Sequence, residues 1–137
     1  MRRIIAILPL YFLPSISATA ADNLSLYSDV CYNVEGGDIL GYRMGIMRLS
    51  DATYVFLQAA EGDWAQPLIG KASASDLKQR KLVFTLANER KLLSFRGTIT
   101  EKAVTGQFDG LFGPHGKPLV VRLPRIAVSM KGAPNCR

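Results

Sequence analysis

Histidine is nearly missing from this sequence: His115, in the turn Gly113-Pro114-His115-Gly116-Lys117, is the only one among 137 residues. A Ser/His/Asp unit needs partners positioned around its histidine, and a zinc site needs three or four ligands. No spacing here assembles either, so His115 reads as an exposed turn residue and at most a contact for a partner. Close carboxylate pairs are scarce too. Glu35 with Asp38 and Glu61 with Asp63 sit in turn-forming stretches, where acids hydrogen-bond the backbone. No catalytic residue, metal site or cofactor is therefore assigned, and the chain is not expected to be an enzyme. A phosphate-cradling loop is also disfavoured, because its glycines belong between a strand and a helix N-terminus, and no window here holds a helical period. Long charge runs are absent; Lys78-Gln79-Arg80-Lys81 is the densest. With a net charge of +6 the chain is moderately basic, short of what specific nucleic-acid binding would suggest.

A membrane-spanning stretch is missing as well. The longest apolar run, Ile4 to Ile16, contains Pro9 and Pro14 and falls short of the roughly 20 residues that cross a bilayer. Preceded by Arg2 and Arg3 and followed by Ala18-Thr19-Ala20, it has the three parts of a secretory signal with cleavage after Ala20. The expected organisation is a signal peptide over residues 1–20 and a single domain over 21–137, with no transmembrane segment in the mature chain. Loss of Arg2 and Arg3 lowers the net charge to +4. The expected location is periplasmic or secreted.

Cysteine is limited to Cys31 and Cys136. An exported chain folds where disulfides persist, so the pair reads as a bridge that brings the two ends of the domain together.

What the sequence has in quantity is alternation, which sends successive side chains to opposite faces of a strand. Strands are predicted over 26–34, 39–49, 53–60 and 67–75. Four more follow around Leu82–Leu86, Leu93–Ile99, Val104–Phe112 and Leu119–Leu123. Short turn-rich pieces such as Glu35–Asp38 and Glu61–Gln66 separate them. Eight strands with short connections predict an antiparallel up-and-down meander, and closing it into a barrel removes the exposed edges. Strand one would then lie beside strand eight, where the cysteines have to meet. Gly97, Gly106 and Gly110 fall on inward positions and relieve crowding there.

The pattern Phe95-x-Gly97-x-Ile99, short turn, Val104-x-Gly106-x-Phe108, turn, apolar strand reaching Leu123 and Arg125 resembles the closing strands of small lipocalin-like (calycin-type) barrels of exported bacterial proteins. The resemblance implies a cup with one more open end. Tyr42, Met44, Ile46, Tyr54 and Phe56 alternate on neighbouring strands and either line an apolar cavity or fill a solid core. Trp64, expected in a loop, either anchors a partner or caps the core. The expected function is a binding module for a small apolar or amphipathic envelope molecule. The alternative is a protein-protein interaction module, or an inhibitor of an envelope hydrolase, that acts through loops around Trp64 and His115.

Overall fold

Alternation becomes nine strands in the computed structural model, which describes residues 24–76, 78–87, 92–110, 118–127 and 132–136. They are β1 (Leu24–Ser28), β2 (Cys31–Asn33), β3 (Asp38–Arg48), β4 (Thr53–Trp64), β5 (Leu68–Asp76), β6 (Lys81–Ala87), β7 (Leu92–Ile99), β8 (Ala103–Asp109) and β9 (Leu119–Ile126). Each strand from β3 to β9 pairs antiparallel with the next, and β1 pairs with both β9 and β3, so the sheet closes. β1 and β2 both lie along β3, opposite Arg43–Met47 and Asp38–Leu40 respectively. They are two halves of one stave, and the fold is an eight-stranded antiparallel barrel. The predicted signal at 1–20, the turn with His115, and Leu111 and Phe112 lie outside the described residues. Among the described residues, no helix is long and apolar enough to cross a membrane.

One face of every stave is inside. Tyr27, Met44, Ile46, Val55, Leu57, Leu82, Phe84, Leu86, Leu93, Phe95, Ile99, Val104, Phe108 and Leu123 form one buried cluster. Three rings hold its centre. Phe95 stacks on Phe84 at 4.9 Å between centroids and tilts against Phe108 at 4.7 Å. These contacts fill the interior with the offset and tilted geometries that aromatic quadrupoles favour. Between the two readings of the sequence, cavity or core, the inward residues of the barrel form a core.

The seam between first and last staves is short. Only Leu26 and Tyr27 pair with β9, opposite Ile126 and Arg125. Further along, the C-terminal segment takes over the edge of β2. Tyr32 N donates to Pro134 O at 2.7 Å, and Cys136 N donates to Tyr32 O at 2.8 Å, a parallel bridge centred on Asn135. The Cys31–Cys136 disulfide, with Cα atoms 4.8 Å apart, fixes that segment in place. Closure and bridge thus occur where the sequence predicts.

Two details differ from expectation. The first stave breaks at Asp29, because its side chain competes with its own backbone: Asp29 N donates to Tyr42 O, but Tyr42 N donates to Asp29 Oδ1 at 2.6 Å. Gly41, at φ 118°, accommodates the kink; a Cβ there would stand 2.8 Å from Asp29 Oδ1. The second difference is β4, which continues through Trp64 because β3 starts early enough to pair Ile39 with Gly62. Trp64 therefore ends a strand instead of sitting in a loop.

Asp29 provides a test of the break. Partial burial raises its carboxyl above the ordinary value, against the lowering effect of the hydrogen bond from Tyr42 N–H. A raised carboxyl binds its proton more readily in the folded chain than in the unfolded one. Its stabilising contribution is therefore full below the unfolded pKa and is lost as pH rises through the folded pKa. Asp29→Asn keeps the acceptor without the charge, so it should match or exceed the parent in urea stability at pH 7 and remove this pH dependence. Asp29→Ala removes this solvent-exposed hydrogen bond and should cost about 0.5–1 kcal/mol. Tyr42 is itself raised, by burial first and then by the charges of Glu61 and Asp29.

Candidate functional site

With the interior packed, the barrel's exposed apolar surface lies on its outer face. The register sets Gly45 opposite Phe56, Met47 opposite Tyr54 and Phe56 opposite Ile69. These side chains belong to the outward parity, because their neighbours Met44, Ile46, Val55 and Leu57 point into the core. Tyr54 and Phe56 consequently do not share a cavity with Tyr42, Met44 and Ile46, although all five alternate in the sequence. Met44 is fully buried, and Tyr42 packs against the core with its ring 6.4 Å from Phe108.

On the outside, Met47, Tyr54, Val55, Phe56, Gln58, Pro67 and Ile69 line a groove of about 340 Å³. Three of its apolar members are open to solvent: Ile69 is 64% exposed, Met47 40% and Tyr54 36%. Burial of such side chains by a partner is favourable at about 25 cal/mol per Å² of apolar surface. The floor depends on Gly45, whose missing side chain leaves the space that the Phe56 ring occupies. One wall depends on the end of β4, which folds back. Ala65 N donates to Ala59 O at 2.9 Å, and Gln58 Nε2 donates to Ala65 O at 3.0 Å, which brings Pro67 to the groove.

Comparison with family models, curated proteins and solved structures returns no match. Site geometry alone therefore carries the functional argument.

Trp64 adjoins the groove through Arg43, the strand partner of groove-lining Gln58. The guanidinium of Arg43, which pairs in register with Gln58, lies 4.3 Å over the indole centroid, a distance at which the ring quadrupole attracts a cation. Arg43 Nε is buried without a hydrogen-bond partner among the described residues. The half-buried indole is thus held against the barrel wall by a cation and does not cap the core. Asp63 accepts a hydrogen bond from Trp64 N at 2.7 Å, and Asn33 accepts one from Glu35 N at 3.2 Å, so this region's polar side chains hold turns. Among the described residues, no group of three His, Cys, Asp or Glu side chains is placed to hold a metal.

Sequence reasoning selected Tyr54, Phe56 and Trp64 but missed Met47, Pro67 and Ile69. Nothing in the sequence of β5 marks Ile69 as outward, because Leu68 beside it is equally apolar and is the one that is buried.

Proposed function

We propose that this barrel is an exported binding module, lipocalin-like in build, that engages an apolar segment of an envelope protein through the outer groove of β3, β4 and β5. In this reading it binds and does not catalyse. The observation that carries the proposal is the combination of a filled interior with an exposed apolar groove beside a braced Trp64. Tyrosine, methionine, arginine and tryptophan are the side chains enriched in interface cores. Here Tyr54, Met47, Arg43 and Trp64 lie on one outer surface. The Cys31–Cys136 bridge supports export, since disulfides persist in oxidising compartments.

The test compares capture from envelope extract by the parent chain, Ile69→Asp and Val120→Asp. Both positions are exposed, Val120 on β9 away from the groove, so each variant should keep its unfolding free energy within about 0.5 kcal/mol. Ile69→Asp should lose its specific partner, with about tenfold or greater weakening, and Val120→Asp should retain it. Equal capture by all three would refute the groove. A second reading, a small amphipathic ligand in the same groove, draws on its volume, which falls within the range of ligand pockets. Displaceable binding of a fluorescent fatty-acid analogue, abolished by Ile69→Asp, would select it.

A further inference from the structure

Antiparallel staves send alternate hairpin turns to opposite ends of the barrel, and this sorts the charges. The turns that join β3 to β4, β5 to β6 and β7 to β8 share one end with the last residues of β9. Lys78 and Arg80 in the β5–β6 turn, Lys81 at the start of β6, Lys102 in the β7–β8 turn and Arg125 near the end of β9 all gather there. Backbone bonds make them contiguous. Ile99 N donates to Arg80 O at 3.0 Å, and Arg125 N donates to Lys102 O at 2.7 Å. The acids at this end are Asp51 in the β3–β4 turn, Asp76 and Glu101. Asp76 Oδ1 accepts the N–H groups of Lys78 at 2.8 Å and Gln79 at 3.1 Å, so that carboxylate holds the turn. Glu35, Asp38, Glu61 and Asp63 lie toward the opposite end. Among the described residues, the one ion pair is Arg96–Asp109 on the barrel wall, and none of the five gathered cations has a carboxylate partner.

A pocket of about 430 Å³ opens within this basic end, lined by Arg80, Thr100, Glu101 and Lys102. Its geometry is held from both sides. Thr100 Oγ1 accepts from Lys102 N at 3.2 Å and Ala103 N at 3.0 Å, which fixes the turn that carries Lys102. Arg80 occupies a left-handed backbone position, φ 55°. Hairpin turns give such positions to glycine or asparagine, which adopt them with little strain. Arg80 takes that position with its side chain on the pocket wall, although the turn itself has no need of an arginine.

We propose that this pocket binds a phosphate anion, with the Arg80 guanidinium as a planar fork for two oxygens and Lys102 as a point charge. This site is separate from the apolar groove and does not depend on it. Glu101 opposes the ligand and sets the affinity: the two cations outweigh it, and its removal should tighten binding. The anion is carried either by a free phosphate compound or by a lipid headgroup.

The experiment titrates the full chain with inorganic phosphate by calorimetry and by amide NMR shifts at Thr100–Ala103. In parallel, flotation with phosphatidylglycerol vesicles is compared with phosphatidylcholine vesicles. Arg80→Asn suits the backbone while removing the charge, and with Lys102→Gln it should weaken binding about tenfold. Glu101→Gln should strengthen binding, a gain that damage to folding would not produce. Lys78→Gln and Lys81→Gln, outside the pocket lining, should change affinity by about twofold or less. Phosphate binding without flotation identifies a free phosphate compound; flotation on phosphatidylglycerol that Arg80→Asn abolishes identifies a headgroup. Absence of both at about 10 mM probe overturns the proposal. So does equal weakening by Lys78→Gln and Arg80→Asn, which would reduce the effect to diffuse charge.

Discussion

Replacing Cys31 and Cys136 together by alanine should lower the unfolding free energy by about 4 kcal/mol. The bridge spans 105 positions in sequence, so the unfolded chain loses a large share of its freedom when the loop is closed. The native seam has little else to replace it. β1 meets β9 at only two residue pairs, and β2 is three residues long. Beyond the bridge, two backbone hydrogen bonds and one parallel pairing hold the C-terminal segment to β2. The expected readout is a lower urea midpoint and a melting temperature reduced by about 10–20 °C. Amide exchange should accelerate first at Tyr32 and Cys136, whose N–H groups serve that pairing, and amides of β6 and β7 should follow only global unfolding. An unchanged midpoint in the double variant would show that the strand pairings close the barrel unaided.

The same seam shows what a one-dimensional reading can reach. Two cysteines and a count of alternating segments predict that first and last staves meet, because both are global constraints that local sequence states directly. The alternation of Leu82, Phe84 and Leu86 and of Leu93 and Phe95 gives the inward face of β6 and β7, since Thr85, Ser94 and Arg96 on the other face are polar and only Val83 and Leu92 blur the pattern. In β4 both parities are apolar: Val55 and Leu57 go inside, while Tyr54 and Phe56 go outside. Only register against β3 decides between them, and register depends on chain distant in sequence. The groove needs that information twice, at β3–β4 and at β4–β5. The basic end needs it as well, because Arg80 and Lys102 come together only when β6 and β7 pair. The break at Asp29 did have a local signal, an acid inside a strand, but its meaning depends on Tyr42 and Gly41 across the sheet.

Gly106→Ala should destabilise the barrel by about 3 kcal/mol, near the upper end of the range for overpacking. Gly106 faces Gly97 across β7 and β8, and the Phe95 ring lies over both. A Cβ on Gly106 would stand 2.6 Å from Gly97 Cα, 2.5 Å from Arg96 O and 2.6 Å from Phe95 Cζ. Two of those neighbours are backbone and cannot move without pulling the strands apart. The third is the ring whose position sets the stacked contact with Phe84 and the tilted one with Phe108. A second substitution separates these contributions. Phe95→Leu removes the ring tip at a cost of about 1–3 kcal/mol. If the ring alone excluded a side chain at Gly106, Gly106→Ala in the Phe95→Leu background would add almost nothing. Because Arg96 O and Gly97 Cα remain, the double variant should lie below Phe95→Leu by most of the single Gly106→Ala effect, as read from urea midpoints at constant m-value. Full rescue would mean that the two strands have slack to spread, and the paired glycines would then serve the aromatic ring and not the close approach of the backbones.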